Sequence, residues 1–242
     1  MFGWQNVFGL CLIPLSIAFV VYLVFTRDAP SAPPPKSMME YLHVLKDKDA
    51  WWFMFFYSVT FGGFSGLASS LTIYFNGQYG LSPVTAGYFT AACVFAGSAV
   101  RPLGGRLADR IGGIKTLSMM YMLAASFMLI ASFGLSSAMA AVAIFVLAML
   151  SLGVGNGAVF QLVPQRFRKE IGVMTGLVGM AGGIGGFYLA SSLGYSKQLT
   201  GSYQGGLIVF AALAIVALLG LSAVKNRWRT TWGSAAMTNA KI

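Results

Sequence analysis

The amino-acid sequence predicts an all-α integral membrane protein: a six-helix bundle preceded by one extra transmembrane helix. Three observations carry that expectation. Only 9% of the 242 residues are charged and 57% are hydrophobic, whereas a soluble domain carries about 25% charged residues. Seven apolar stretches recur along the chain, each near the ~20 residues a helix needs to cross a bilayer. The basic residues that give the net charge of +10 fall in short stretches between them. That distribution is a topology signal and argues against nucleic acid as a partner.

The first stretch, 4–26, has no basic residue before it and Arg27 after it, so it reads as a spanning helix rather than a cleaved signal peptide. Residues 27–49 form a linker of different character, with Pro30, Pro33, Pro34 and Pro35 followed by mixed charges. The prolines hold its first part extended. Residues 36–48 have the makings of a short helix at the membrane surface, but a plain hydrophilic linker is the preferred reading. His43, the only histidine, lies there and receives no catalytic or ligand role.

The bundle occupies 50–225, with spans expected at 50–75, 85–107, 115–133, 138–163, 172–196 and 203–224, and a tail over 226–242. Arg106, Arg110 and Lys115 flank one connection, Arg166, Arg168 and Lys169 fill another, and Lys225, Arg227 and Arg229 follow the last span. The alternate connections at 76–84 and 135–137 carry no charge, and the one after the sixth span holds only Lys197. Positive residues stay inside. The basic loops and carboxyl terminus are therefore expected in the cytoplasm, with the amino terminus outside the inner (plasma) membrane.

Enzyme chemistry finds no support. No nucleophile–base pair, HExxH, CxxC or phosphate-loop pattern occurs, and Cys11 and Cys93 both lie in apolar spans. The expectation is no catalysis, no cofactor and no metal.

Arg101 stands out as the only charge well inside a predicted span, since Arg106 and Lys115 sit at span ends. Burying it costs at least ~2.5 kcal/mol, so by default it binds something. Eight residues separate it from Asp109, or ~12 Å of helix. No acid lies within any predicted span, so an internal salt bridge is not available; snorkelling to the interface remains open. A planar fork of donors suits a planar oxyanion such as nitrate, nitrite or a carboxylate.

Other residues carry weaker signals. Tyr57 and Phe61 are four apart and share a helix face; taken alone, such aromatics pack or meet lipid. Gly172, Gly176, Gly179, Gly183 and Gly186 form a smooth stripe that invites close helix approach, and Gly153 and Gly157 repeat the pattern. Asn156 and Gln161 are amides in an apolar span and need partners.

Gly105-Arg-Leu-Ala-Asp109-Arg110-Ile-Gly112 resembles the cytoplasmic loop motif of the major facilitator superfamily. There it lies between the second and third helices of a six-helix half, and here it follows the second of six. The resemblance implies that the glycines permit a tight turn and that Asp109 caps the next helix or pairs with a base, latching the cytoplasmic side.

Further stretches resemble one branch, the nitrate/nitrite porters. Trp4-Gln-Asn-Val-Phe-Gly9 is similar to the start of that family's sixth helix and Phe55-Phe-Tyr-Ser-Val-Thr-Phe-Gly-Gly-Phe64 to its seventh. Arg101-Pro-Leu-Gly-Gly105 resembles the end of the eighth, and Gly155-Asn-Gly-Ala-Val-Phe-Gln-Leu-Val-Pro164 the tenth. Gly176-Leu-Val-Gly-Met-Ala-Gly-Gly-Ile-Gly-Gly-Phe187 resembles the glycine-rich signature of the eleventh.

The resemblance implies transport of nitrate or nitrite by alternating access of two halves. Arg101 would coordinate the anion, Tyr57 donate to it, Phe61 stack on its flat face, and Asn156 stand in the cavity wall or bond between helices. Phe55, Phe56 and Phe64 would pack or face lipid, and the glycine stripe would let helices slide. The family has twelve spans, and this sequence matches the last seven. Its expected partners are therefore the lipid bilayer and an amino-terminal half, or a second copy, supplying a second arginine. The acid-free spans favour nitrate/nitrite exchange, in the service of nitrate assimilation, over proton symport. A carrier of another small anion and a non-transporting fragment are the alternatives.

Overall fold

The computed structural model describes residues 3–27, 39 and 42–232. Two compact units divide near residue 38. The first contains α1 (Trp4–Phe25), which is long and apolar enough to cross a membrane.

The second unit holds seven helices among the described residues: α2 (Lys48–Tyr79), α3 (Pro83–Ala99), α4 (Arg101–Ile111), α5 (Gly113–Ser132), α6 (Ala138–Arg166), α7 (Ile171–Thr200) and α8 (Gln204–Thr230). A 3-10 turn, His43–Lys46, leads into α2. Among the described residues, six segments are long and apolar enough to cross a membrane: Gln5–Phe25, Pro83–Ile111, Gly113–Ser132, Ala138–Arg166, Ile171–Thr200 and Gln204–Thr230.

Helix α2 does not reach that hydropathy, although a span was expected at 50–75. At 32 residues it is about 48 Å long, more than enough to cross. Its serines, threonines, glycines and aromatic amphiphiles lower its mean. The reason is position: α2 packs against α3, α6, α7 and α8, and Phe53, Phe56, Val59 and Leu67 are fully buried. A helix enclosed by other helices has little lipid to satisfy. It begins where Asp47 accepts a hydrogen bond from the Asp49 N–H at 2.8 Å and ends at Gly80 with φ 64. Lys48 and Asp49 thus form its first turn.

The span expected at 85–107 is two segments, α3 and α4, meeting at Val100. Pro102 has no N–H to give the Ser98 carbonyl, so the ladder breaks there and Arg101 opens the second segment. Gly112, with φ 100, then separates α4 from α5.

Here the expectation for Asp109 is corrected. It lies exposed inside α4, and Gly112, not Asp109, is the N-cap of α5. Among the described residues Asp109 joins no ion pair. Arg110 likewise sits exposed in the last turn of α4.

The carboxylates that tie helices together are Asp47 and Asp49. Asp49, 6% exposed, accepts from Arg166 Nε at 2.9 Å, from Trp228 Nε1 at 2.7 Å and from the Arg227 guanidinium. Arg166 also pairs with Asp47. These bonds join the start of α2 to the ends of α6 and α8, so the basic stretches around 46–48, 166 and 227 share one end of the bundle. At the other end the Tyr79 hydroxyl donates to the Leu135 carbonyl at 2.8 Å.

Two glycine-mediated crossings set the spacing of the core. Between α2 and α7, a Cβ built on Gly62 meets the Gly185 backbone at 2.6 Å, and one on Gly185 meets the Ser58 carbonyl oxygen at 2.1 Å. Between α3–α4 and α6, a Cβ built on Gly153 would meet the Gly97 carbonyl oxygen at 2.1 Å and one on Gly157 the Arg101 carbonyl oxygen at 2.5 Å.

This corrects the glycine stripe. Gly172, Gly176, Gly179 and Gly183 are exposed, with nothing within 4 Å of a Cβ. They carry no helix contact among the described residues, and of the stripe only Gly186 packs, against Ser65. Gly105 is similar: its Cβ direction is open, and its neighbour Gly104 meets Val154.

Gly185→Ala should therefore cost about 2 kcal/mol, because the clash is with backbone that has no rotamer to escape to. Gly176→Ala should stay within about 0.5 kcal/mol of the parent. Reversible unfolding in mild detergent measures both, and equal values would reject the crossing as described.

Candidate functional site

Arg101 emerges from the α3–α4 break half-buried and points its guanidinium at an aromatic wall. Its central carbon lies 4.4 Å from the Phe64 ring centroid and 5.3 Å from that of Phe61. Aromatic faces attract a cation, and the attraction strengthens when water is excluded. Yet they accept no conventional hydrogen bonds, and Arg101 Nε is buried with no partner among the described residues. No carboxylate pairs with it among the described residues.

The aromatic wall belongs to α2. The Tyr57 and Phe61 rings lie parallel, centroids 5.2 Å apart at 5°, and Phe160 of α6 meets Tyr57 edge-on at 4.9 Å. Gly182 of α7 makes room for this stack, since a Cβ there would sit 2.8 Å from each ring.

Asn156 comes from α6 at the same level. Its neighbour Gly157 packs on the Arg101 carbonyl and its neighbour Gly155 on Thr60 of α2. The side chain is 3% exposed, and neither its amide nitrogen nor its oxygen has a hydrogen-bond partner among the described residues. A buried amide in that condition costs a few kcal/mol, and such groups call for an explanation.

So the structure brings Arg101, Tyr57 and Phe61 together, with Asn156 on the adjoining helix. Phe64 was expected to pack or face lipid. It packs in the core, 6% exposed, and is also nearer the guanidinium than Phe61, because it lies one helical turn beyond Phe61 on the same face. Phe160 and Gly182 were not anticipated. Phe160 follows Asn156 by four residues, which was a usable signal; Gly182 lies off the stripe that spacing singled out.

Chemically, a fixed positive fork between flat aromatic faces, with an amide and a phenol nearby, can hold a small planar anion. No group of residues able to hold a metal occurs among the described residues.

Comparison with known proteins settles the family. Residues 1–190 match the model of the Major Facilitator Superfamily. The chain belongs to the Major Facilitator Superfamily. Its relatives within that superfamily point in one direction. It is 31% identical over 216 residues to the "Nitrite extrusion protein" of Bacillus subtilis (strain 168), covering 89% of this chain and 54% of that protein. It is 34% identical over 234 residues to the "Probable nitrate transporter NarT" of Staphylococcus carnosus (strain TM300), covering 93% and 58%. With the "Probable nitrate/nitrite antiporter NarK1" of Thermus thermophilus it shares 29% over 236 residues, covering 90% and 53%. The chain spans about half the length of the curated relatives it matches. As a superfamily member it is a multi-pass membrane protein of a transporter family, not an enzyme.

Proposed function

We propose that this chain carries the anion-binding arginine of a nitrate/nitrite transporter and works as one part of a larger or assembled transporter. The observation that supports this most is Arg101 itself: a charge facing Phe61 and Phe64, with a buried donor unmet. Nitrate and nitrite are flat, carry one negative charge and accept hydrogen bonds in plane. The guanidinium and the aromatic faces match those properties, and the relatives' names agree in direction.

In this reading Arg101 coordinates the anion through its fork, Tyr57 donates a hydrogen bond, and Phe61 and Phe64 cover the flat face. Asn156 completes the wall, its free amide serving the anion. Alternating access then exposes the site to one side at a time as two halves rock about it. The second half is an amino-terminal half, or another copy of this chain. The basic end of the bundle faces the cytoplasm by the positive-inside rule. Exchange of nitrate for nitrite fits a site whose lining holds no carboxylate to carry a proton.

The test is uptake of labelled nitrate into proteoliposomes loaded with nitrite, using the chain with and without a co-expressed amino-terminal half. Uptake by the pair alone would identify the second half as an amino-terminal half, and uptake by the chain alone as a second copy. In either case it should fall when nitrite is omitted from the lumen. Uptake of formate or acetate in place of nitrate would move the assignment to a carboxylate carrier. No uptake of any of these anions by a folded pair would reject transport.

Tyr57→Phe should lower exchange about tenfold, the worth of one hydrogen bond to a charged acceptor. The ring stack survives that change. An unchanged rate would leave Tyr57 a packing residue only.

A further inference from the structure

The basic end of the bundle contains a cavity that the anion site above does not use. It has a volume of about 610 Å³ and is lined by Lys46, Lys48 and Arg227, by Asp47 and Asp49, and by Trp232. Both carboxylates are occupied: Asp49 by Arg166, Arg227 and Trp228, and Asp47 by Arg166. Lys46 and Lys48 are exposed at its rim and join no ion pair among the described residues. The cavity therefore presents uncompensated positive charge.

A second, independent observation concerns Trp232. Its indole Nε1 is buried and has no acceptor among the described residues. The ring is held in place, 5.3 Å from Trp228 and 6.3 Å from Phe53, so the N–H does not simply swing into water. A buried donor beside unpaired lysines is the complement of an oxyanion.

The position says which oxyanion. The cavity lies where α2 begins and α6 and α8 end, at the edge of the membrane-crossing segments. Trp51, 59% exposed, stands at the same end, its N–H bonded to the Leu45 carbonyl at 2.8 Å. Tryptophans with one wet edge favour the headgroup level of a bilayer, and lysines there attract anionic lipids. We propose that this cavity binds the phosphate of an anionic phospholipid headgroup, with Lys46 and Lys48 supplying charge and Trp232 Nε1 donating to a phosphate oxygen.

The full chain, purified in neutral detergent, is titrated with short-chain phosphatidylglycerol, with the matching phosphatidylcholine and with inorganic phosphate, while the thermal unfolding midpoint is followed. Phosphatidylglycerol should raise the midpoint at concentrations where the other two do not. Lys46→Gln and Lys48→Gln should each weaken that response about fivefold, and Trp232→Phe, which keeps a ring, by a similar factor. Arg229→Gln, an equal charge loss outside the cavity, should respond as the parent does. Inorganic phosphate acting as strongly as phosphatidylglycerol would overturn the lipid assignment. Parental responses from the cavity variants, or an equal loss from Arg229→Gln, would overturn the site. If a variant fails to fold, the phosphatidylglycerol and phosphatidylcholine comparison on the parent still decides, since equal responses reject the proposal.

Discussion

Arg101→Lys should lower nitrate exchange by at least about 100-fold while the chain still inserts and folds. Lysine keeps the charge but replaces a planar fork with a compact ammonium. Two parallel hydrogen bonds to one anion become a single point contact. Losing one charged hydrogen bond and the fork's orientation together is worth roughly 3 kcal/mol, which corresponds to the stated factor. The ring contacts with Phe61 and Phe64 tolerate an ammonium, since a lysine is also held by aromatic faces. Insertion is therefore expected to survive, and binding geometry is what fails. Exchange at the parental rate in the assembled transporter would remove Arg101 from the anion site and leave it an interfacial cation.

Asp49→Ala should destabilise the bundle by about 3 kcal/mol. The substitution removes the acceptor of three donors from α6 and α8 and leaves two guanidinium groups and an indole facing an empty site. Breaking a buried pair from one side costs 3–5 kcal/mol. The lower end applies because the Arg166 and Arg227 side chains are 30% and 44% exposed and recover some hydration. Asp49→Asn, which retains an acceptor for Trp228, should lose less. Asp47→Ala should cost no more than about 1 kcal/mol, since its pair with Arg166 is near the surface. Denaturant unfolding in detergent, read by tryptophan fluorescence, gives all three numbers. Equal losses for Asp47→Ala and Asp49→Ala would show that burial of the cluster contributes nothing.

These two residues also mark what the sequence makes legible. Arg101 announces itself, because one charge in an apolar run has few explanations, and its motif places it near a helix end. Tyr57 and Phe61 follow from helical spacing once α2 is recognised. Asp49 does not announce itself: at the edge of an apolar run an acid reads as loop. Its partners Arg166 and Trp228 lie 117 and 179 positions away, a relation that no local pattern encodes. The glycines of α7 fail for a different reason. Spacing of three and four identifies residues on a common face but does not say which face meets a neighbour. Gly182 and Gly185, set one step around the helix, took that role. Phe64 packs, as one of its two expected readings had it, but only the fold shows that a cation lies over its ring.

The bare face of α7 has a practical corollary in labelling chemistry. Gly172, Gly176, Gly179 and Gly183 are exposed, and a Cβ added to any of them meets nothing from a neighbouring element within 4 Å among the described residues. A cysteine installed at one of these positions should be accepted by the fold and reached by a maleimide reagent. The chain has only two native thiols, Cys93 buried and Cys11 exposed, so Cys11→Ser leaves one reactive sulfur per molecule. A spin label or photo-crosslinker walked along these four positions would then report, one helical turn at a time, on whatever lies opposite in the bilayer.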